Sequence, residues 1–225
     1  MCNSIQKRQA FSRIIHTYKP DLILLQEDMV GRSYYPVGYQ KICGIKSDEG
    51  LMNSILVKET LLGEVTYANS IPLATVPDIV GRTASTIVFR GLHICNLHLS
   101  GGRIDDKLYE NITHLRDRQV SPFIKYDIVA GDFNGHPNKF PNSHPVYKSA
   151  QNKQLFKKYF SSGHKPLIEN GMTRLTPTLP TDVFGGNPDH IYYNPKRVKP
   201  TTMHVINTIP LQLSDHNGIF VIFTL

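Results

Sequence analysis

Five short segments put acidic or imidazole side chains where an apolar run begins or stops. Glu27 closes D-L-I-L-L-Q-E, and His98 closes H-I-C-N-L-H. Asp132 and Asn134 follow Y-D-I-V-A-G, two residues apart, and Asp189 opens D-H-I-Y-Y-N. Asp215 and His216 precede N-G-I-F-V-I-F. The set suits metal-assisted hydrolysis at phosphorus. A hard cation such as Mg²⁺, with Mn²⁺ able to replace it, takes one or two carboxylates and keeps several waters. Glu27 is the candidate ligand, and the ion would neutralise charge on a phosphoryl oxygen. A second carboxylate must position and deprotonate the water, a role for Asp132, with Asn134 fixing the phosphate or the aspartate. An imidazole near the phosphate donates to developing charge, a role for His216 oriented by Asp189. Each residue alone has a plainer use. Asp132 in G-D-x-N makes an Asx-turn, Asp215 after Ser214 caps a turn, Glu27 is a solvated strand end, and His98 is a satisfied core histidine. Their joint placement at strand ends carries the chemistry, because a buried sheet holds such residues rigidly.

The elements that must position them follow from periodicity. Phe11, Ile14, Ile15 and Tyr18 recur at helical spacing, so a helix is expected over 5–18, stopped by Lys19-Pro20. Residues 21–26 form a short, nearly continuous apolar strand, as buried strands do. Further strands are expected near 52–58, 62–69, 84–90, 92–98, 126–131, 189–193, 203–208 and 218–224. Ile104, Leu108, Ile112 and Leu115 line one face of a second helix over 103–118, with Arg116 and Arg118 in its last turn favouring the helix dipole. Residues 135–145 read as a loop and 146–160 as a Lys-rich helix. Strands outnumber helices and two long helices interrupt the series, which fits an α/β sandwich of two facing sheets with helices outside. No linker or repeat divides the chain, so residues 1–225 are read as one domain.

Composition narrows the class. The 225 residues are 40% hydrophobic and 19% charged, an ordinary globular balance that excludes a disordered chain. Cys2, Cys43 and Cys95 form no disulfide framework and no C-x-x-C, so idle thiols in a reducing intracellular compartment, cytoplasmic or nuclear, are expected. No run is long enough to cross a bilayer, and M-C-N-S-I-Q-K-R-Q-A-F has no signal-peptide core. A monomer is expected.

The segments P-D-L-I-L-L-Q-E (20–27), N-L-H-L (96–99), G-D-F-N (131–134), D-H-I-Y-Y-N (189–194) and S-D-H-N-G-I-F (214–220) resemble, in order, the signature segments of the DNase I-like endonuclease/exonuclease/phosphatase superfamily. The resemblance runs from about residue 5 to the C-terminus. It implies a four-layer α/β sandwich, with two mainly antiparallel sheets face to face, and Mg²⁺-dependent cleavage of phosphate esters. Glu27 resembles the family's metal-binding glutamate, with Asp215 beside it in the metal-binding role. Asp132 and Asn134 resemble the pair that positions water and phosphate. His216 resembles the histidine bonded to the scissile phosphate, and Asp189 the aspartate that orients it. His98 in N-L-H-L resembles the branch of tyrosyl-DNA phosphodiesterases, deadenylases, sphingomyelinases and inositol polyphosphate phosphatases. Ser100 and Arg103, at the expected start of the second helix, are candidates to hold a substrate phosphate, as is Arg82. The family opens with a strand ending in a W-N-x-x-like segment. Only two residues precede Asn3, so the first strand is expected to be missing.

Charge points to the substrate. Lys and Arg number 25 against 18 Asp and Glu, a net charge of +7. Residues 131–225 hold 10 of the cations against 5 acids, and three of those acids are Asp132, Asp189 and Asp215. A basic surface around an acidic metal pocket fits a polyanionic backbone. The expectation is a nuclease or 5′-tyrosyl-DNA-type phosphodiesterase acting on nucleic acid. Two alternatives stand beside it: a phosphatase or lipid phosphodiesterase of the same fold, and a non-catalytic nucleic-acid-binding domain.

Overall fold

A computed structural model describes residues 4–29, 34–47, 50–75, 81–101, 109–135, 161–183, 186–211 and 213–225. Asn3, Arg103 and the expected Lys-rich helix over 146–160 lie outside them.

Helix α1 (Ser4–Tyr18) is followed by β1 (Leu22–Met29), β2 (Tyr39–Cys43) and β3 (Leu51–Lys58), which pair antiparallel in the order β1-β3-β2. After a 3₁₀ turn over Glu59–Glu64 come β4 (Val65–Pro72), β5 (Thr83–Phe89) and β6 (Leu92–His98). Helix α2 (Tyr109–Val120), a 3₁₀ turn over Ser121–Phe123 and β7 (Ile128–Asp132) follow. Then come α3 (Lys165–Glu169), β8 (Thr173–Leu175) and β9 (Asp189–Tyr193). The second sheet has six strands in the order β4-β5-β6-β7-β9-β8. The last strands, β10 (Lys199–Ile206) and β11 (Gly218–Thr224), pair as a separate two-stranded sheet.

Three apolar clusters define four layers. Ile15 and Phe11 of α1 pack on Ile23, Leu25 and Leu56, so α1 covers the outer face of the three-stranded sheet. The inter-sheet core joins Ile55 and Val57 of β3 to Ile87, Phe89, Leu92, Ile94 and Ile128 of the six-stranded sheet, with Leu22, Leu24 and Phe223 against them. On the far face, Cys95, Leu97, Val129, Phe133 and Tyr192 pack with Val120 at the end of α2 and Leu167 of α3. The expected α/β sandwich is therefore observed, with its sheets on both sides of one apolar core.

Strand alternation explains which side chains reach the rim. Along β6, Leu92, Ile94 and Asn96 face between the sheets while Cys95 and Leu97 face the helices. His98 continues the inter-sheet face. By the same count Ile128, Ala130 and Asp132 share that face on β7, and Asp189, Ile191 and Tyr193 share it on β9. The helix α1 ends where Lys19 turns left-handed (φ 46°) and donates its N–H to the Ile15 carbonyl at 2.8 Å, just before Pro20.

Some expectations shift. The strand expected over 62–69 begins at Val65, because Glu59–Glu64 close a 3₁₀ turn first. The second helix is described from Tyr109 and runs two residues past 118. Strands β2 and β8 and helix α3 were not expected; each is three to five residues long, too short to show a period.

Gly131 is the tightest position in the sheet. Its φ is +141°, and a Cβ there would overlap the Leu97 carbonyl oxygen of the parallel neighbour β6. Gly131→Ala is expected to lower stability in urea by about 2–4 kcal/mol, by forcing apart the strands that carry His98 and Asp132. An unchanged denaturation midpoint would show that the strand pair yields without cost.

Candidate active site

One row of three residues crosses the rim of the six-stranded sheet. Backbone register sets His98 of β6 opposite Asp132 of β7, and Asp132 opposite Asp189 of β9. All three are on the inter-sheet face, at the end where β6 and β7 finish and β9 begins. His98 Nε2 lies 3.4 Å from Asp132 Oδ2, and its Nδ1 lies 3.9 Å from Glu27 Oε1. His216, just before β11, holds Asp189 Oδ2 at 2.9 Å through Nδ1. The structure thus assembles Glu27, His98, Asp132, Asp189 and His216 from five separated segments.

Glu27 reaches this row because β1 is irregular there. The β1–β3 register slips between Leu25 and Asp28, and Glu27 has φ 54°. A regular strand would have alternated Gln26 and Glu27 to opposite faces. Gln26 stays on the inter-sheet side and donates to Asn96, whose own amide donates at 2.9 Å to the Leu25 and Ser54 carbonyls. That clamp holds the bulge. The positive φ of a non-glycine residue is a local cost that the surrounding bonds must offset.

Asp132 and Asn134 form the tight turn that the G-D-F-N spacing allows. The Asn134 N–H donates to Asp132 Oδ1 at 2.7 Å, and Asn134 is left-handed at φ 50°. The Asn134 side-chain amide donates to the Leu99 carbonyl at 2.9 Å, tying the turn to the end of β6. The Asx-turn is therefore present, and it serves to orient the Asp132 carboxylate.

Burial and charge set the protonation states. Burial pushes the Asp132 carboxyl above its usual range, against the pull of His98 and His216 and the Asn134 N–H, and with Asp189 reinforcing it. Burial drives His98 down to about 4; Asp132 opposes this, while the cations of Arg82 and Arg116 assist. His98 is thus neutral at pH 7, and its contact with Asp132 is a polar contact rather than an ion pair. For His216, burial alone would lower the value. The hydrogen bond to Asp189 and the charges of Asp189, Asp132 and Asp215 outweigh it and raise it to about 9. Burial also raises Asp189, so the Asp189–His216 pair keeps a proton through neutral pH.

The other expected residues divide. Arg82 is close enough to depress His98. Asp215 is exposed and adjoins His216, with its carbonyl accepting from the Val183 N–H at 3.1 Å. Ser100 is a correction. It is 1% exposed, its N–H donates to Gln119 Oε1 at 3.0 Å, and its hydroxyl accepts from Gln119 Nε2 at 2.8 Å. It is spent inside the protein and presents nothing to a phosphate. Arg116, read from sequence as a dipole partner in the last turn of α2, is fully buried and donates through Nε to the Ser100 carbonyl at 2.7 Å. Its charge bears on His98 from behind the sheet. No helical pattern distinguishes a buried arginine from a surface one, so sequence gave no signal for it.

A divalent ion fits the donors present. Glu27 has a carboxylate 57% exposed at the rim, the hard oxygen that Mg²⁺ takes while keeping most of its waters. Among the described residues no group of three or more acidic, imidazole or thiol side chains is arranged to hold a metal ion.

The model of the Endonuclease/Exonuclease/phosphatase family matches residues 2–216. No curated protein matches the chain. Among solved structures, D. rerio TDP2 complexed with single-strand DNA product is 17% identical, with a TM-score of 0.65 over 100% of this chain and 94% of that one. Truncated Caenorhabditis elegans TDP2 is 15% identical, with a TM-score of 0.54 over 99% and 91%. The inositol polyphosphate 5-phosphatase domain of SPsynaptojanin, in complex with inositol (1,4)-bisphosphate and calcium, is 18% identical. Its TM-score is 0.50 over 81% of this chain and 61% of that one. At these identities the likeness is one of fold. No helix among the described residues is long and apolar enough to cross a membrane, and Cys43 and Cys95 are free thiols.

Proposed function

The chain belongs to the Endonuclease/Exonuclease/phosphatase family, and from that premise we propose that it is a Mg²⁺-dependent phosphodiesterase acting on nucleic acid. The observation that carries this reading is the row of His98, Asp132, Asp189 and His216, with Glu27 turned toward it by the bulge in β1.

In the proposed mechanism Asp132 takes a proton from the attacking water as its oxygen bonds to phosphorus. The carboxyl's raised affinity for protons makes it a better base than a solvated aspartate. Asn134 keeps one carboxylate oxygen engaged through its backbone N–H, which fixes the other toward the water. His216, protonated at neutral pH and held by Asp189 at Nδ1, donates from Nε2 to a phosphoryl oxygen as charge builds. His98 stays neutral and donates or accepts without adding charge. Glu27, with Asp215, would hold the metal, which when bound supplies charge neutralisation at the phosphoryl and leaving oxygens. The P–O bond to the leaving group breaks, giving a phosphate monoester and an alkoxide or phenoxide that takes a proton from solvent to become the free alcohol or phenol.

Nucleic acid is preferred as the substrate because a TDP2 of the same fold was solved with a single-strand DNA product and because the chain is basic. A second reading, an inositol phosphate phosphatase, draws on the fold shared with the SPsynaptojanin domain. Five of the ten C-terminal cations lie in 136–160, outside the described residues, and Arg197 pairs with Asp127 at 3.3 Å.

The test is a panel with Mg²⁺: 5′-tyrosyl single-stranded DNA, abasic duplex, single-stranded DNA and RNA, inositol polyphosphates and sphingomyelin. Turnover of a nucleic-acid substrate, abolished by chelator and restored by Mg²⁺, is expected. It should weaken as salt rises, since phosphate contacts release counterions. Turnover of inositol phosphates alone, insensitive to salt, would transfer the reading to the phosphatase.

A further inference from the structure

The positive charge of α1 plays no part in the carboxylate row. The helix carries Lys7, Arg8, Arg13 and His16 and not one acidic residue. At 3.6 residues per turn, Ile5, Arg8, Gln9, Ser12 and Arg13 fall on one face. Together with Tyr34 they line an open groove of about 470 Å³. Tyr34 is held in place there. Its hydroxyl lies 3.0 Å from the Ser12 hydroxyl, and the Arg8 guanidinium carbon sits 5.5 Å from its ring centre.

The groove is joined to the candidate active site by two adjacent tyrosines. Tyr35, next to Tyr34, donates to Asp28 Oδ2 at 2.9 Å, and Ser54 donates to the same oxygen. Asp28 is buried and directly follows Glu27. The segment bearing Tyr34 is thereby fixed both to α1 and to the strand end that carries the candidate metal ligand.

We propose that this groove is a strand-binding subsite for single-stranded nucleic acid. It takes the stretch of substrate strand that extends beyond the scissile phosphate. Arg8 and Arg13 hold phosphates of that stretch, and a base lies against the Tyr34 ring. The inference rests on the nucleic-acid reading of the active site. The chemistry of the lining selects the occupant. Two guanidiniums with no acid on their helix call for a polyanion. A pinned aromatic ring beside a guanidinium is a stacking platform, and stacking needs an unpaired base. An anionic membrane would be met by a broad apolar face, and here only Ile5 is exposed among large apolar residues of the groove.

The test measures binding apart from turnover. Protein carrying Asp132→Asn is titrated into a fluorescein-labelled 5′-phosphorylated dT 12-mer, and anisotropy is followed from 50 to 300 mM KCl. Adding R8Q/R13Q is expected to weaken binding about tenfold at the lowest salt. It should also cut the slope of log affinity against log salt by about 1.4, near 0.7 for each lost phosphate. Y34A is expected to weaken binding about fivefold or more with an unchanged slope, and Y34F to bind like the parent. With Asp132 restored, R8Q/R13Q should leave kcat/KM on bis(p-nitrophenyl) phosphate unchanged, since that ester is too small to reach the groove. Equal affinity and equal slope for the parent and R8Q/R13Q overturn the subsite while the nucleic-acid reading stands. Failure of the parent itself to bind the 12-mer overturns both. Binding of phosphatidylserine vesicles that R8Q/R13Q abolishes while 12-mer binding is untouched overturns the subsite alone.

Discussion

Asp132→Asn is expected to lower kcat about 10³-fold and to leave the folded protein at least as stable as the parent. The two halves of that result come from one fact. The Asp132 carboxylate is buried at the rim of the sheet, and burial penalises its charged form. The amide is isosteric, keeps an oxygen for the Asn134 N–H, and carries no charge to desolvate. What it cannot do is accept a proton from water, and positioned general bases contribute about 10²–10⁴ in rate. The measurement pairs single-turnover kinetics on the best substrate of the panel with thermal unfolding in chelator. A large rate loss with a raised or equal Tm supports the role. A rate within threefold of the parent would remove Asp132 from the chemistry. A similar rate loss with a sharply lower Tm would make it a structural residue.

The strand ends that carry the candidate site were legible in the sequence for a physical reason. Strand ends at the rim of a buried sheet put polar residues beside apolar runs, and that contrast survives in one dimension. Strands β9 and β11 begin and end where alternation and the Asp189 and Gly218 boundaries place them, and β6 ends on His98. What periodicity does not carry is the bulge. Nothing in D-L-I-L-L-Q-E says that Glu27 will adopt φ 54°, because the bond that holds the bulge comes from Asn96, whose amide grips Leu25 from 71 residues away. Ser100 failed for a related reason. A small polar residue after a strand looks like a phosphate binder, yet Gln119 of α2 folds back onto it. Neither the burial of Arg116 nor the groove along α1 leaves a trace in helical periodicity or in overall charge. The signal in α1 was the absence of any acid among its 15 residues, a pattern that a whole-chain charge count averages away.

Asp189→Asn is expected to lower kcat about 10²–10³-fold and, separately, to flatten the alkaline limb of the stability profile. Asp189 takes no proton from substrate in the proposed mechanism; it holds the His216 ring through Nδ1 at 2.9 Å and keeps it cationic. Losing a preorganised charged donor at a developing oxyanion costs about 10²–10³ in rate. The stability effect follows from linkage. In the unfolded chain His216 titrates at its ordinary value near 6.5, and in the folded chain at about 9. A raised folded value means stability that is fully present below about pH 6.5 and lost as pH climbs through 9. Its side chain is 29% exposed, so solvent screening trims the effect, and about 2 kcal/mol should disappear between pH 7 and 10. In the amide variant the cationic form loses the bond and the charge that favoured it. Burial then lowers the imidazole's affinity for a proton, and this contribution is absent across the whole range. Lysines, tyrosines and thiols titrate alike in both proteins and cancel in the comparison. Urea unfolding in chelator at pH 7 and pH 10, for parent and variant, reads the difference directly. Parallel losses in the two proteins would mean that His216 is not held as a cation, and its role as the donor to the phosphoryl oxygen would fall with it.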